Sequence, residues 1–340
     1  MAGRRDRIAD ITAASGLMGA LERMPRVPQL LVINYHRIGD NSATEFDPEV
    51  FSASQEGFAD QVAHIKKHYG LLHPGEARDI IAGRTRLRHM CVLLTFDDGY
   101  LDNLTLAVPV LKAHDASAAF FLITGQLDEP SRIQWWDRIA WQVRRCVGKT
   151  IALSQPEPGT IPVTAENLER SIAAVLARFR SAGIDEALFF AELDAAAGVS
   201  GDAARSSEPL MMSWDDARAM RDAGMTIGLH TDTHTILSRL DEAGQRREIV
   251  TCRGKLKDKL GIDADMLAYP VGTHAAFSPV TKDVARACGL TAAFSFYGGS
   301  NKPGAIDPFD VRRVAFPSYA SEARGRAALT SMALSGSRWF

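Results

Sequence analysis

The sequence predicts an α/β protein in which a parallel sheet or barrel is covered by helices and interrupted by a helical insertion. Two stretches of the chain alternate short apolar runs with segments of helical periodicity, an order typical of parallel strands joined by helices. Between them lies a stretch whose periodicity is helical. The alternating stretches, residues 29–127 and 211–318, together have the size of one barrel domain, so a single interrupted barrel is expected.

The first alternating stretch begins with the apolar run Leu30–Asn34, which is predicted to be a strand. The runs Cys91–Phe96 and Ala118–Ile123 are almost continuously apolar, as strands buried on both faces are. Apolar residues at near-helical spacing predict helices over Phe51–Lys67, Pro74–Ala82 and Leu104–Ala113.

The second alternating stretch contains two helix starts. Ser213 precedes two acidic residues and resembles an N-cap, and Ser278 stands before a proline at the first helical position. A long helix is predicted over Glu242–Leu260. Strands are predicted over Met225–Leu229, Met266–Tyr269, Thr291–Phe296 and Val311–Phe316.

Residues 128–210 form the predicted insertion, and residues 1–28 and 319–340 are expected to be an N-terminal extension and a C-terminal tail. The insertion has helical patterns over Trp135–Arg145, Ala165–Arg180 and Glu186–Ala197, around a Pro/Gly-rich segment at 155–159. Because it follows the end of a predicted strand directly, we expect it to form a wall or lid over the mouth of the barrel. The alternative is a peripheral helical subdomain.

The composition of the sequence argues against some classes of binding partner and some cellular locations. The 39 Lys and Arg against 41 Asp and Glu give a net charge of -2, whereas a nucleic-acid partner would require a basic excess. No run approaches the roughly 18 apolar residues of a membrane span, and the charged N-terminus lacks the core of a signal peptide. The four cysteines form no Cys-x-x-Cys pair. We therefore expect a cytoplasmic protein with no nucleic-acid partner and no integral membrane span, while oligomerisation stays open.

Two adjacent carboxylates, Asp97 and Asp98, directly follow the buried strand Cys91–Phe96. Neighbouring side chains of a strand point to opposite faces, but a turn through Gly99 would let both serve one site. Two acids in this position are costly to bury unless a metal or another cation uses them. The alternative is an N-cap of the next helix.

A histidine pair follows another predicted strand. His230 shares its strand face with Gly228, opposite the apolar face, and is therefore expected to point into the barrel mouth. His234 lies on the same side if the chain turns helical. Such a pair alone is usually solvated helix surface. Two imidazoles with a carboxylate, however, leave coordination positions open, as catalytic metal sites do.

The segment Thr-Phe-Asp-Asp-Gly-Tyr and the later His-x-x-x-His resemble the polysaccharide deacetylase family, over about Leu30–Phe316 without the insertion. The resemblance implies a NodB homology domain like that of carbohydrate esterase family 4, a distorted (β/α)7 TIM-like barrel. It implies that Asp98, His230 and His234 hold a divalent metal, usually zinc. Asp97 would be the general base that activates a metal-bound water for attack on an acetyl carbonyl.

One segment departs from the family pattern. Residues 268–272 read Ala-Tyr-Pro-Val-Gly, without the arginine that usually orients the base. Tyr269, Pro270 and Val271 are the expected substrate-binding positions, and only the backbone N–H of Val271 would be needed for the oxyanion.

A replacement arginine is available on the last predicted strand. Arg313 shares a strand face with the small Ala315, so we expect it to pair with Asp97. The alternative is an arginine on the surface at the start of that strand.

The family's late Leu-x-His motif, the usual source of the general acid, is also missing. His274 and His36 are candidates, and the sequence does not choose between them. Trp135 and Trp136 could line a sugar groove, because aromatic faces suit pyranose rings, although their helical spacing fits a core position better.

The predicted function is a hydrolase acting on a non-peptide carbon–nitrogen bond, which removes acetyl from an N-acetylated sugar of a polysaccharide, oligosaccharide or glycan precursor. Deformylation, O-deacetylation or amide hydrolysis of a small or lipid-linked sugar would use the same metal. An inactive carbohydrate-binding scaffold is the alternative from another class. The intact set of two aspartates and two histidines argues against it, because a pseudoenzyme would be expected to lose these residues first.

Overall fold

The computed structural model of this protein describes residues 24, 26–42, 44–199, 209–316 and 322–335. Most of the predicted N-terminal extension, residues 1–28, lies outside the described residues. So do both ends of the predicted C-terminal tail, residues 319–340, whose described part is a helix. The described residues form two compact units: one comprises those up to Gly39, Phe51–Asp128 and those from Met211 onward, and the second comprises those within Asp40–Val50 and Glu129–Leu210.

The strands of the described residues are Gln29–Tyr35 (β1), Arg37–Ile38 (β2), Phe51–Ala53 (β3), Gly70–Leu71 (β4), Met90–Phe96 (β5), Ala119–Leu122 (β6), Thr150–Leu153 (β7), Gly159–Pro162 (β8), Thr226–Leu229 (β9), Met266–Ala268 (β10), Ala292–Ser295 (β11) and Val311–Ala315 (β12).

The α-helices of the described residues are Gln55–His68 (α1), Pro74–Ile81 (α2), Val108–Ala113 (α3), Thr124–Asp128 (α4), Trp135–Arg144 (α5), Leu168–Phe179 (α6), Glu186–Ala197 (α7), Trp214–Asp222 (α8), Glu242–Leu260 (α9), Pro279–Ala287 (α10) and Glu322–Ser335 (α11). A π-helical turn, Asn103–Ala107, leads into α3, and 3₁₀ turns lie at Pro48–Val50 and Leu237–Arg239. None of these helices combines the length and apolar character that crossing a membrane requires.

Seven parallel strands of the first unit close into a ring, in the order β1, β12, β11, β10, β9, β6, β5 and back to β1. The predicted distorted (β/α)7 TIM-like barrel is therefore confirmed. β1 and β5 pair along all seven of their residues. Three seams consist of only one or two residue pairs. Thr95 pairs with Ala119 and Phe96 with Phe120 between β5 and β6, and Leu229 pairs with Leu267 between β9 and β10. Phe294 pairs with Val311 and Ser295 with Arg312 between β11 and β12. β4 pairs with the N-terminal half of β5 outside this ring.

Alternation along the strands separates an inner face from an outer one. Inward side chains such as Leu30, Leu93 and Phe294 form one buried cluster, which α2 joins through Ala77 and Ile80. Their neighbours in sequence face the surrounding helices and form a larger cluster that includes Leu31, Leu94, Ile227 and Leu229. The barrel interior is thus packed with side chains below its carboxyl end.

Both predicted helix starts of the second half are confirmed. The Ser213 hydroxyl accepts from the Asp216 amide, and the Asp216 carboxylate accepts from the Ser213 amide. Ser278 and Thr281 form the same reciprocal cap at α10. Each cap satisfies amides that the first helical turn leaves without a partner.

The predicted helix over Phe51–Lys67 begins four residues too early. Ser54 is the N-cap, because its hydroxyl accepts from the Gly57 amide, and the helix starts at Gln55. The preceding residues Phe51–Ala53 form β3, which pairs with β2. The apolar spacing alone did not distinguish these three residues from a first helical turn.

The second unit is not wholly helical. Besides α5, α6 and α7 it contains an antiparallel hairpin of β7 and β8, and the Pro/Gly-rich segment 155–159 turns between them. Phe179 lies at the centre of its aromatic core, in contact with Trp135, Phe189 and Phe190. That this segment acts as a wall or lid stays a prediction.

Close packing inside the barrel predicts the effect of one glycine substitution. A Cβ added at Gly228, an inward position of β9, would lie 2.6 Å from two ring carbons of Phe121 and 3.0 Å from the Met266 carbonyl oxygen. We expect Gly228→Ala to lower the free energy of unfolding in urea by about 1–3 kcal/mol, as overpacking typically does.

The matched control is Gly254→Ala in the interior of α9, where an added Cβ meets no atom within 4 Å. There alanine is expected to stabilise by up to about 1 kcal/mol through helix propensity. Equal urea midpoints for the two variants would contradict this account of the barrel interior.

Candidate active site

The two adjacent carboxylates reach one site because the chain turns sharply as β5 ends. Asp98 takes the left-handed conformation, with φ of 73°, and Gly99 follows with φ of 89°. The Gly99 amide donates to the Asp97 carbonyl at 3.0 Å, and the Asp97 amide donates to the Tyr35 carbonyl of the neighbouring strand. Both carboxylates are buried. The predicted turn therefore involves Asp98 itself as well as Gly99.

Arg313 and Asp97 form a two-pronged ion pair inside the barrel. Nη1 of Arg313 donates to Oδ1 of Asp97 at 2.7 Å, and Nη2 donates to Oδ2 at 2.8 Å. The guanidinium also donates to the Asn34 side-chain oxygen and to the Ser295 carbonyl. Arg313 has no exposed surface. The alternative of a surface arginine is thus excluded, and the structure places the predicted partners together.

Asn34 completes this arrangement, and sequence reasoning assigned it no place in the site. Its Nδ2 donates to Oδ2 of Asp97 at 3.0 Å, while its Oδ1 accepts from Arg313 and from the Thr95 hydroxyl. The available signal was a polar residue at an inward position of an otherwise apolar strand. That signal predicts that Asn34 faces the barrel interior, but it does not identify Asp97 and Arg313 as its partners.

His230 follows β9 and points into the barrel mouth, as strand parity predicted. Its Nδ1 lies 2.9 Å from the Ala268 carbonyl oxygen, which can only accept, so the neutral ring carries its proton on Nδ1. Its Nε2 lies 3.3 Å from Oδ1 of Asp98 and 3.9 Å from Oδ2 of Asp97. The Nε2 lone pair is therefore directed at the two carboxylates.

His234 joins the same cluster, but not through the predicted helical turn. Thr231 and His234 are both left-handed, with φ of 65° and 61°, and the His234 amide donates to the Thr231 hydroxyl. This conformation brings Nε2 of His234 within 3.4 Å of Oδ1 of Asp98. The two imidazole rings lie 4.7 Å apart, edge to face.

The electrostatics of the cluster separate the two aspartates. Burial raises the pKa of Asp97, but the charges of Arg313 and His230 outweigh it and hold that pKa well below its usual range. Asp98 is also shifted downward, because its hydrogen bond with His230 and the charge of His234 outweigh burial. Both groups are carboxylates at neutral pH.

The histidines are shifted in opposite directions. Burial lowers the pKa of His230, but the charge of Asp97 and the contact with Asp98 raise it further than burial lowers it. Burial and the charge of His230 lower the pKa of His234 to about 3. The carboxylates thus attract one positive charge to the space between them and His230, while His234 keeps an unprotonated nitrogen.

Asp98, His230 and His234 fit a divalent cation. Their donor atoms all lie within 4.8 Å of one another. Ligand atoms about 2 Å from a tetrahedral zinc ion lie roughly 3.3 Å apart, which matches the separations of Asp98 from both imidazoles. The Nδ1 bond of His230 to a backbone carbonyl is the usual orienting contact of a metal-binding imidazole. Two carboxylates against one guanidinium leave the cluster net negative.

A tight turn after β10 presents the Val271 amide. Val271 has φ of 63°, and the Gly272 amide donates to the Pro270 carbonyl across it. Gly272 cannot be replaced easily, because an added Cβ would lie 2.7 Å from the Phe296 amide nitrogen. The Val271 N–H has no hydrogen-bond acceptor among the described residues. It is therefore available to a ligand.

The two candidate acids lie in different surroundings. The backbone of His36, at the end of β1, is fixed on both sides: its amide donates to the Ser52 hydroxyl and its carbonyl accepts from Asn103. The charge of His36 contributes to lowering the pKa of Asp97 and of Asp98, as a nearby cation does. His274 is exposed, and its ring stacks on Tyr297 at 3.6 Å.

Two predicted substrate-binding residues, Tyr269 and Pro270, lie in buried positions. Tyr269 is buried in the outer core, where it stacks on Phe277 and donates from its hydroxyl to the Phe309 carbonyl. β10 ends one residue earlier than predicted, at Ala268, and the Tyr269 side chain lies on the helix-facing side. Pro270 is buried within the turn. The prediction that Tyr269 contacts substrate is therefore wrong, because its side chain is enclosed in the outer core, whereas substrate contact by Pro270 stays a prediction.

The tryptophan prediction is also wrong for one of its two residues. Trp136 is buried, so its faces are not available to a sugar. Trp135 is half-buried, packs on Phe179 and lies beneath the guanidinium of Arg180. Both pack within the second unit, as their helical spacing favoured, while contact of the half-buried Trp135 with a sugar stays a prediction.

Comparison with known proteins assigns this chain to one family. A sequence profile described as polysaccharide deacetylase matches residues 85–153 and 158–293, which is more than half of the chain. The Bacillus subtilis protein YxkH, whose name assigns it to the polysaccharide deacetylases, is 33% identical over 95 residues, or 28% of this chain and 32% of that protein. The chain spans about a third of the length of the curated relatives it matches.

Two solved structures resemble this chain in fold. IcaB from Ammonifex degensii is 22% identical, with a TM-score of 0.55, over 91% of this chain and 98% of that one. A de-N-acetylase from Aggregatibacter actinomycetemcomitans is 17% identical, with a TM-score of 0.55, over 87% of this chain and 98% of that one. At these identities the likeness concerns the fold.

Removal of the buried arginine tests how far the site depends on it. Arg313→Met leaves Asp97 buried without a counter-charge, which we expect to lower the free energy of unfolding by about 3–5 kcal/mol. The adjacent Arg312 is exposed, so Arg312→Met should stay within about 0.5 kcal/mol of the unaltered protein.

The double variant Asp97→Asn with Arg313→Met removes both charges and should recover part of the loss. Urea unfolding of all four proteins checks this. Equal losses for the two arginine variants would contradict a central role for the ion pair.

Proposed function

Since the chain belongs to the polysaccharide deacetylase family, we propose that it hydrolyses the acetamide of an N-acetylated sugar in a polysaccharide, oligosaccharide or glycan precursor. The observation that carries this proposal is the buried cluster in which Asp97, held by Arg313, lies beside three convergent donors for a cation. One similar structure is named a de-N-acetylase, which supports an amide rather than an ester as the bond that is cleaved.

Asp98, His230 and His234 would hold the cation, and their donor set of two imidazoles and one carboxylate suits zinc. When bound at such a site, a divalent cation lowers the pKa of water and polarises a carbonyl. The ligand set comes from the ends of two strands that are not neighbours in the ring, β5 and β9, so the barrel fixes its geometry.

Asp97 is the proposed general base. A carboxylate offers about four lone-pair positions, and Arg313 and Asn34 occupy three of them. One position on Oδ1 therefore remains to accept a proton from the attacking water. The low pKa of Asp97 makes it a weak base, which suffices only for a water whose own pKa has been lowered.

The Val271 amide is the proposed donor to the oxyanion. It is held by a left-handed turn and has no competing acceptor among the residues that the structure describes. A backbone donor fixed in this way stabilises developing negative charge without reorganisation. This proposal requires only the backbone of Val271, so the absence of an aromatic side chain there does not count against it.

His36 is the proposed general acid, in preference to His274. Its charge acts on Asp97, Asp98 and His234, and its backbone is anchored on both sides. It would give a proton to the sugar nitrogen as the carbon–nitrogen bond breaks, releasing acetate and a free amine. The exposed stack of His274 on Tyr297 provides no comparable link to the cluster.

Metal content and turnover separate the proposed roles of the ligands and the base. His230→Ala should lose most of the copurifying divalent metal, as measured by elemental analysis, because one of three protein ligands is removed. Asp97→Asn should retain the metal and release acetate from N-acetylated oligosaccharides at least about 100-fold more slowly, as loss of a general base does.

The exposed His89→Ala is the matched control and should change neither quantity. Stoichiometric metal in His230→Ala would contradict the ligand set. Near-normal acetate release by Asp97→Asn would contradict its role as the base.

Leaving-group dependence identifies the general acid. His36→Gln should slow hydrolysis of an N-acetylated sugar by about 100-fold or more, since the amine leaves only when protonated. Hydrolysis of 4-nitrophenyl acetate, whose leaving group needs no proton, should change little. His274→Gln should leave both rates close to those of the unaltered enzyme. A His36→Gln enzyme that loses both activities equally would argue against proton donation by His36.

A further inference from the structure

The loop that carries both histidines, residues 230–234, is tied to helix α9 by one carboxylate. Oε2 of Glu248 accepts from the Asp232 amide at 3.0 Å and from the Thr233 amide at 2.9 Å. Oε1 of the same side chain accepts from the Thr233 hydroxyl at 2.8 Å. Three donors of one short segment thus converge on a single side chain from a different element.

This loop requires an external partner because it belongs to no helix or strand. Left-handed residues at Thr231 and His234 turn its amides away from the strand pairing that ends at Leu229. Two consecutive amides, those of Asp232 and Thr233, then point in nearly the same direction. A single side-chain oxygen at the right distance is well suited to such a pair, because it offers two lone-pair positions and can accept from both amides at once.

The opposite side of the loop is braced by α4. The Gly125 amide donates to the Asp232 carbonyl at 2.8 Å, and a Cβ at Gly125 would lie only 2.6 Å from that oxygen. The peptide between the two histidines is therefore held from both sides, by a backbone amide on one and by Glu248 on the other. A shift of Glu248 would allow the loop to move relative to α4.

Helix α9 is a firm support for this contact. It has nineteen residues, is N-capped by Asp241, and buries Ile249, Cys252 and Leu256 against the barrel. Two turns beyond Glu248, Lys255 donates to the Asp232 carboxylate at 2.8 Å. Helix α9 thus contacts two backbone amides of the loop and the side chains of Asp232 and Thr233.

We propose that Glu248 is a positioning residue for the cation site. Resting on the proposed function, this inference assigns Glu248 the task of holding the loop so that both imidazole Nε2 atoms converge on Asp98. Glu248 lies fourteen residues beyond His234 in the chain and contacts neither the ligand atoms nor Asp97. Its effect is transmitted through the backbone of Asp232 and Thr233.

Cobalt(II) binding to the metal-free 340-residue chain tests the proposal, with affinity measured by chelator competition and ligand geometry by visible absorption. Glu248→Ala should bind cobalt about 10–100-fold more weakly, as loss of an outer contact to a metal ligand usually does. Its absorption spectrum should also change. Asp258→Asn, which alters an exposed acid on the same helix, should match the unaltered protein in both.

Two conservative variants separate geometry from charge, and also cover failure of the alanine variant to fold. Glu248→Gln keeps the length and an acceptor oxygen, and its amide can donate to the Thr233 hydroxyl, so it should bind cobalt almost normally. Glu248→Asp keeps the charge but is one methylene too short, so it should bind more weakly. Glu248→Gln is therefore expected to bind cobalt more tightly than Glu248→Asp, although only Glu248→Asp keeps the negative charge.

Thermal unfolding of the metal-free proteins shows whether each variant is folded. If the unaltered chain binds no cobalt, the proposed function itself fails. If it binds cobalt and the folded Glu248→Ala and Glu248→Asp proteins match its affinity and spectrum, only the role of Glu248 is overturned.

Discussion

The Arg313 guanidinium, which has no exposed surface, binds both oxygens of Asp97, whose exposed fraction is only 3%. Moving either charge out of water alone would cost several kcal/mol, so each group is tolerable there only because of the other. The pair also draws in the Asn34 side chain and the Ser295 carbonyl, which connects four strands. Arg313 binds Asp97, whereas the close side-chain partners of Asp98 among the described residues are the two imidazoles. Two adjacent identical residues therefore acquire different chemistry.

The features that the sequence predicted depend on local pattern. Strand parity placed His230 and Arg313 on inward faces, and reciprocal caps at Ser213 and Ser278 marked helix starts. Patterns of this kind do not describe the turns beyond the strand ends. Tyr269 was assigned to the strand that ends before it, and its side chain lies on the helix-facing side. The reach of Glu248 to a loop fifteen residues away likewise depends on how a helix packs, which no local spacing records.

Backbone strain is concentrated where the proposed chemistry is. Of the five non-glycine residues with positive φ among those described, four are Asp98, Thr231, His234 and Val271. Each costs about 1–2 kcal/mol relative to an ordinary conformation. Such residues persist only where the surroundings determine them, here through Gly99, Gly125 and Gly272 and through the contacts of Glu248. No glycine at the four positions themselves announces these turns in the sequence, which explains why the route from His230 to His234 could not be predicted.

The distance along the chain between Asp97 and Arg313 has a consequence for biosynthesis. The two residues are 216 positions apart, and Arg313 lies on the last strand of the barrel in chain order. Translation adds about 5–20 residues per second and produces the N-terminal strands first. Arg313 is therefore synthesised roughly ten seconds or more after Asp97, whose charge it neutralises. Until β12 has been synthesised, the nascent ring is open between β1 and β11 and contains an unneutralised carboxylate. The chain can thus complete its most polar interior contact only in the step that closes the barrel.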